Sequence, residues 1–233
     1  MLPGDVLLVT GEGKLSSSLV ALQKVIYPKA SSSHVELCLG DGVFIHSTGD
    51  KGVHLTLLID EDVACKNRWR VIRHKSITGA GLSTEKLQKA AMFFYAQDYN
   101  KVFMGSGNDT SSFCSELVAK AYDGAGIEIF GGKAPSKVTP AHFDKEADNL
   151  EDWLDVTEQY KTILADMKEN EFPYRLAANT LSTVMTRRKA HEPFRQKIIE
   201  HFENGSPKNQ ELAKKMREML AGRELKYWHE KDS

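Results

Sequence analysis

The sequence predicts an α+β protein in which a strand-rich part is followed by helices alone. Short runs rich in β-branched residues, separated by glycines, fill the first 75 residues, whereas beyond about residue 155 apolar residues recur only at three- and four-residue steps. The chain has 233 residues, of which 41% are apolar, enough for one globular domain and an appendage. We therefore expect an antiparallel sheet packed on helices over residues 1–154 and a helical extension over residues 155–233.

The individual elements follow from the same periodicities and from residues typical of caps and turns. Strands are predicted over residues 6–9, 35–37, 43–45, 53–57 and 69–72. A short helix is predicted behind an N-cap within Ser16-Ser17-Ser18, a second over residues 83–95, and a third from a cap at Thr110 or Ser111 to Gly124. In the extension, helical patterns cover residues 160–167, 174–185, 194–202 and 212–220, with breaks at Pro173, Pro193 and residues 205–207.

Composition narrows the classes of function. The net charge is −1 and no block of Lys or Arg stands out, so we expect neither nucleic acid nor an anionic membrane as the principal partner. No run approaches the roughly 20 apolar residues of a membrane-spanning helix, and the first residues do not resemble a cleavable signal, so we expect a chain that is cytoplasmic as synthesised. Three cysteines, Cys38, Cys65 and Cys114, predict reduced thiols rather than a disulfide framework.

The most informative segment is a predicted hairpin over residues 34–46. A three-residue loop, Gly40-Asp41-Gly42, pairs Leu39 with Val43 and Leu37 with Ile45, which places every aliphatic side chain on one face. The opposite face then carries His34, Glu36, Cys38, Phe44 and His46. In this register His34 is diagonal to His46, close enough for the two imidazoles to interact.

Two imidazoles on one sheet face suggest a base and its orienting partner, and Cys114 is the candidate nucleophile. It falls in the first turn of a predicted helix, where free backbone N–H groups and the helix dipole favour a thiolate and could stabilise an oxyanion. We expect His34 to accept the Cys114 proton, the sulfur to attack a carbonyl group, and His46 to hold the His34 ring in the useful tautomer. Water or another acceptor would resolve the thioester.

The same residues could also have structural or metal-binding roles. Cys114 could be a small buried apolar residue and His46 a structural histidine. A zinc site formed by Cys38, His34 and His46 is conceivable, but no paired ligand motif supports it, so we predict neither metal nor organic cofactor. Glu36 and Glu116 could tune the imidazoles, but for either residue we expect a solvated carboxylate or a charge on a helix face instead. The remaining histidines, including His54, belong to no constellation in the sequence, and Cys65 lies in a loop-like segment.

At these residues the chain resembles the circularly permuted branch of the NlpC/P60 papain-like superfamily, particularly its YiiX/YebB-like members. The matching segments are residues 3–8, residues 33–46, Gly52-Val53, Phe113-Cys114-Ser115-Glu116-Leu117-Val118 and Val138-Thr139-Pro140-Ala141. In this branch the histidine strand precedes the cysteine helix, as His34 precedes Cys114 here. The resemblance covers roughly residues 3–145. It implies a permuted papain-like fold with Cys114 as nucleophile, His34 as base and His46 as the third polar residue.

The resemblance also implies the kind of substrate. The resemblance to YiiX-like members implies hydrolysis of amide bonds in cell-wall-type peptides. Many of these members, however, look to have a carboxylate at the position where this chain has His46. Enzymes similar to lecithin-retinol acyltransferase have histidine at both strand positions, although their cysteine motif differs from residues 112–116, and they imply a phospholipase or acyltransferase acting on lipid esters. An inactive binding module is a third alternative. A delivered antibacterial effector would need a specialised secretion system and a delivery or immunity protein as partner.

Overall fold

The computed structural model describes residues 1–11, 14–77 and 81–230. In this part of the chain six strands form an antiparallel sheet in the order β4-β3-β2-β1-β5-β8. They are β1 Val6–Val9, β2 His34–Gly40, β3 Val43–Thr48, β4 Gly52–Leu57, β5 Trp69–His74 and β8 Trp153–Asp155, and the short strands β6 Asp98–Tyr99 and β7 Ser111–Ser112 form a separate parallel pair. The helices are α1 Lys14–Gln23, α2 Leu58–Cys65, α3 Leu82–Phe93, α4 Cys114–Gly124, α5 Pro140–Asn149, α6 Thr157–Glu169, α7 Glu171–Glu203 and α8 Pro207–Ala221. The predicted α+β class is confirmed.

One face of the sheet packs against α4 and is called the α4 face below. Val6 is paired with Leu37 on one side and with Ile72 on the other, so these three side chains share a face. His74, two residues beyond Ile72, lies on the same face, and the ring of Tyr122 from α4 packs against it. All three apolar side chains are fully buried, so this layer is part of the hydrophobic core.

The opposite face packs against α6 and is called the α6 face. Leu7 is paired with Glu36, and Asp5, two residues before Leu7, points the same way. The hydroxyl of Tyr160 from α6 donates to Asp5 at 2.6 Å. Helix α2 packs beside α6 on this side and continues directly from β4. Alternation along β2 therefore directs the His34 and Glu36 side chains towards the α6 face.

The β2–β3 hairpin has the predicted strand register but a different turn. Leu37 lies opposite Ile45, as predicted, whereas Val43 pairs with Gly40 instead of Leu39. The loop is only Asp41-Gly42, both with positive φ (48° and 74°), and an irregularity between Cys38 and Gly40 accommodates the extra residue. Positive φ at both central residues suits the twist of a two-residue hairpin loop, which explains why the tighter turn replaces the predicted three-residue loop.

Helix starts were the least accurate of the predictions. Ser16–Ser18 lie inside α1, which begins at Lys14, so they do not form its N-cap. Ser111 belongs to β7, and the N-cap of α4 is Phe113, whose N–H donates to the Glu116 carboxylate at 3.3 Å. The side chain of Glu116, in the first turn of α4, thus caps the helix in place of the Thr110 or Ser111 hydroxyl predicted from the sequence. The predicted stop at Gly124 is confirmed.

The helices that follow residue 155 begin with α6, which packs directly on the sheet. The boundary predicted after residue 154 falls inside β8, which pairs with β5, and α6 contributes the fully buried Tyr160. The predicted helix break at Pro193 is wrong, because α7 runs through it. The proline ring removes one N–H from the helical ladder there, but the helix continues without a break.

Helices α7 and α8 pack on each other, and α7 also packs on the β4 edge of the sheet. Ile199 of α7 is buried, whereas Leu176 and Val184 of the same helix are more than half exposed, so the apolar residues of α7 are only partly covered. Arg188 of α7 forms an ion pair with Glu230 at 2.6 Å. Within the described residues, no helix has the length and apolar character needed to cross a membrane.

Candidate functional site

Four side chains from three neighbouring strands converge on the α6 face. We call His34, Glu36, His46 and His54 the imidazole–carboxylate cluster. His46 Nδ1 lies 3.0 Å from His34 Nε2 and 3.0 Å from Glu36 Oε1, and His34 Nε2 lies 3.5 Å from Glu36 Oε1. His54 is directly opposite His46 in the β3–β4 ladder, and the two Nε2 atoms are 2.9 Å apart. The predicted contact between His34 and His46 is therefore present.

The hydrogen bonds of this cluster fix the position of each ring proton. The Gly52 carbonyl can only accept, so His54 Nδ1 carries a hydrogen and donates to it at 2.9 Å. Burial lowers the pKa of His54 and favours its neutral ring, so its Nε2 accepts a hydrogen bond from His46 Nε2. His46 Nδ1 is then a lone pair, to which His34 Nε2 donates. His34 is left with Nδ1 as its basic nitrogen.

Burial keeps the imidazoles neutral. Loss of hydration lowers the pKa of His34 well below its usual value and that of His46 to about 4. The two rings differ in access, since the His34 side chain is 21% exposed and that of His46 only 6%. Neutral imidazole is the form that can accept a proton or bind a metal ion.

The cluster also contains a buried carboxylate, contrary to the solvated role predicted for Glu36. This side chain is fully buried, and burial raises its pKa to about 8. Glu61 of α2 lies beside it, and burial together with the Glu36 charge raises the Glu61 pKa to about 7. Thr56 donates to the Glu61 carboxylate at 2.9 Å. The carboxyl groups of Glu36 and Glu61 therefore lie side by side in a weakly hydrated environment next to the imidazoles.

Cys114 is the first residue of α4 and is buried on the α4 face of β2. Its sulfur lies near the backbone of Val35, the residue after His34. Burial raises the pKa of the Cys114 thiol to about 11, although the backbone amides of Val35 and Ser115 act in the opposite direction. The thiolate expected at this helix start is thus not favoured, because loss of hydration outweighs the local dipoles.

The structure brings together two of the three predicted catalytic residues. Among the described residues, no hydrogen bond joins the Cys114 sulfur to an imidazole. The ligand atoms of His34, Glu36 and His46 lie within 4.8 Å of one another, and the Cys114 sulfur does not belong to that group. The Cys114 sulfur instead lies near the backbone at the start of β2. His34 is the first residue of that strand, and its side chain belongs to the imidazole–carboxylate cluster.

The segment before Cys114 is held firmly to the sheet. Ser47 of β3 donates through its hydroxyl to the Ser112 carbonyl at 2.6 Å, and the Ser112 hydroxyl donates to Gln97 at 2.8 Å. Glu116, predicted to be a charge on a helix face, is fully buried and accepts a hydrogen bond from Asn100 at 2.9 Å. These contacts fix the N-terminus of α4 next to the end of β3.

Sequence reasoning missed His54 and the neighbouring Glu61, and it misplaced Cys65. His54 could have been found from the β3–β4 hairpin, because the register that pairs residues 46 and 54 puts both on one face. No local pattern points to Glu61, which reaches the cluster from α2. Cys38 lies on the α6 face of β2, next to Tyr160 of α6, and its sulfur accepts from the Gly40 N–H at 3.3 Å. Cys65 ends α2 rather than lying in a loop.

Comparisons with known proteins give a likeness in fold. No family model matches the chain, and no curated protein matches it. Among solved structures, the chain is similar to the metalloprotein yiiX of Escherichia coli O157:H7, with a TM-score of 0.49 and 19% identity over 66% of this chain and 96% of that chain. A likeness of this degree concerns the course of the backbone and not the chemistry.

Proposed function

We propose that the chain is a cysteine-dependent hydrolase in which Cys114 is the nucleophile, His34 the general base and His46 the residue that orients His34. The observation that supports this most is the directed series of hydrogen bonds from His34 through His46 to His54. It ends on a backbone carbonyl and leaves His34 Nδ1 as a lone pair at the start of β2. A base held in one tautomer is the requirement of this chemistry.

The proposed reaction begins with a neutral thiol rather than a preformed ion pair. Because the Cys114 pKa is raised, His34 Nδ1 accepts the proton as the sulfur attacks the substrate carbonyl. Backbone N–H groups at the start of α4 stabilise the oxyanion, and His34 returns the proton to the leaving amine or alkoxide. Water, deprotonated by His34, then attacks the thioester carbonyl, and His34 returns that proton to the departing Cys114 sulfur. Approach of the substrate has to bring the thiol and His34 into contact.

We place amide bonds of cell-wall-type peptides first among substrates, in line with the cysteine motif over residues 113–118. Lipid esters are the second candidate, and the observation in their favour is that the third position is His46, in contact with His34, instead of a carboxylate. An inactive binding module is the remaining alternative. If the enzyme is delivered as an antibacterial effector, its partners would be an immunity or a delivery protein.

Products from two substrate classes test this proposal. The wild-type chain, Cys114→Ser and a control, His191→Gln, are incubated separately with peptidoglycan fragments and phosphatidylcholine vesicles, and products are identified by mass spectrometry. His191 is exposed and distant in sequence from the site. We expect peptide cleavage by the wild type and the control but not by Cys114→Ser. Release of fatty acid alone would favour the lipid alternative, and cleavage unchanged in Cys114→Ser would refute the mechanism.

A further inference from the structure

We propose that His34, Glu36 and His46 form a binding site for a divalent transition-metal ion, with Zn²⁺ the best match. The three ligand atoms would be His34 Nε2, Glu36 Oε1 and His46 Nδ1. This inference rests on the geometry and hydrogen-bonding needs of the cluster and does not depend on the proposed hydrolase.

The spacing of the three atoms is that of ligands around one small ion. Their separations are 3.0, 3.0 and 3.5 Å. Ligands at about 2.0–2.1 Å from a tetrahedral zinc ion lie about 3.3 Å from one another. Changes of a few tenths of an ångström would therefore admit the ion. Two imidazole nitrogens and one carboxylate oxygen are also donors that zinc accepts.

With Glu36 ionised and no cation bound, the cluster does not satisfy all its polar atoms. The His46 Nδ1 lone pair faces both the His34 N–H and Glu36 Oε1, and two acceptors 3.0 Å apart repel unless a proton or an ion lies between them. The second oxygen of Glu36, fully buried, has no hydrogen-bond donor among the described residues. Nor does any Lys or Arg in the described ranges form an ion pair with Glu36 or Glu61. A proton shared by the two carboxyl groups, or a bound cation in its place, would relieve this arrangement.

The surroundings match those of a metal site with an open position. His46 Nε2 donates to His54, whose Nδ1 donates to the Gly52 carbonyl, an outer arrangement that orients a ligating imidazole. With three ligands from the chain, the fourth position is left for water or substrate, and the partial exposure of His34 gives access. Metal binding would move the His34 proton to Nδ1, so the loaded chain could not use that nitrogen as a base.

Metal binding is measured directly on the full chain. The protein is stripped with a chelator, and Zn²⁺ binding is followed by equilibrium dialysis with metal analysis, and Co²⁺ binding by visible absorption. We expect one ion per chain and a tetrahedral Co²⁺ spectrum without a sulfur charge-transfer band, because neither Cys38 nor Cys114 is a ligand. Glu36→Gln and His46→Gln should lose binding by at least about tenfold, and His54→Ala should weaken it by about 10- to 100-fold.

Two comparisons make the result decisive. His191→Gln, which removes an exposed imidazole, and Cys114→Ser should bind Zn²⁺ as the wild type does. Circular dichroism checks that each variant is folded, and the wild-type Co²⁺ spectrum stands even if a variant does not fold. No specific binding by the wild type, a thiolate band, or binding that survives both Glu36→Gln and His46→Gln would overturn the proposal. Because hydrolysis is not the readout, such a failure would leave the proposed function intact.

Discussion

The side-chain order His34, His46, His54 determines which nitrogen of His34 can act as a base. Removing His46 takes away the acceptor that fixes the His34 tautomer, while Cys114 and the base itself remain. We expect His46→Ala to lower kcat by about 10- to 100-fold with little change in KM. His46→Gln, whose amide oxygen can accept from His34 Nε2, should recover part of the loss.

Steady-state kinetics on the substrate found in the product screen checks this prediction. A merely structural role for His46 would lower stability in both variants and would not distinguish the glutamine from the alanine. Equal losses in kcat for His46→Ala and His46→Gln, with both proteins folded, would show that orientation of His34 does not depend on position 46.

The thiol of Cys114 is expected to react slowly with alkylating agents in the absence of substrate. Its pKa of about 11 leaves about one thiolate in ten thousand at pH 7, against a few per cent for free cysteine. The rate should rise about tenfold per pH unit from pH 7 to pH 9, without the plateau of an ordinary thiol.

Iodoacetamide labelling followed by peptide mapping gives the rate at Cys114 separately. Cys38, whose burial raises its pKa to about 12, provides an internal comparison that should react no faster. Rapid labelling of Cys114 at pH 6 to 7 would instead reveal a preformed thiolate and contradict the order of proton transfer proposed for the reaction.

Alternation along a predicted hairpin was sufficient to place His34 and His46 together, because period two is a local property of strands. Burial is not local, and this is why Glu36 was expected in solvent and Cys114 as a thiolate. Both depend on what α2 and the N-terminus of α4 pack against. The role of Glu61, which comes from a helix absent from the prediction, illustrates the same limit.

The β3–β4 hairpin holds His46 opposite His54, and one of its glycines is required. Gly52 has φ of 65°, and a Cβ there would collide with the backbone carbonyl of Gln97. We expect Gly52→Ala to lower the free energy of unfolding by about 1–3 kcal/mol. Gly49, in the same turn, has open space around its missing Cβ and serves as the matched control.

Urea denaturation of both variants tests this requirement. Gly49→Ala should remain within about 0.5 kcal/mol of the wild type, as is usual for a substitution on the surface. If Gly52→Ala is equally harmless, the close approach of residues 96–97 to β4 is not a feature of the folded chain.

At the level of elements, strands were predicted better than helix ends. The five predicted strands all exist, because short β-branched runs between glycines carry a strong local signal. Helix starts failed where a buried side chain took the place of a local cap, as Glu116 does for α4. Pro193 failed as a breaker since packing holds α7 continuous. Propensity is a weak guide where tertiary contacts decide.

For the whole molecule, the position of α6 determines how much of the extension the fold needs. Tyr160 and Met167 of α6 are fully buried on the sheet, whereas α7 attaches through contacts such as Lys189 Nζ donating to the Ala96 carbonyl at 2.9 Å, and α8 packs on α7. We expect a chain of residues 1–170 to fold with reduced stability. A chain of residues 1–155, which exposes the α6 face, should lack cooperative unfolding.

Circular dichroism with thermal and urea melts distinguishes the two shortened chains. A chain of residues 1–155 that unfolds cooperatively with the stability of the full chain would contradict the structural role given to α6. The sequence pattern identified the helices but not this difference between them, because apolar spacing shows that a face is buried and not which surface covers it.

Trapping the covalent intermediate tests the proposed chemistry most directly. The full chain is mixed with peptidoglycan fragments or phospholipid, quenched in acid within the first turnover, and digested for mass spectrometry. We predict that the peptide containing Cys114 gains the mass of the substrate's acyl group as a thioester, and that Cys114→Ser gives no thioester adduct and no turnover. Turnover in the wild type with an unmodified Cys114 peptide, undiminished in Cys114→Ser, would contradict the account.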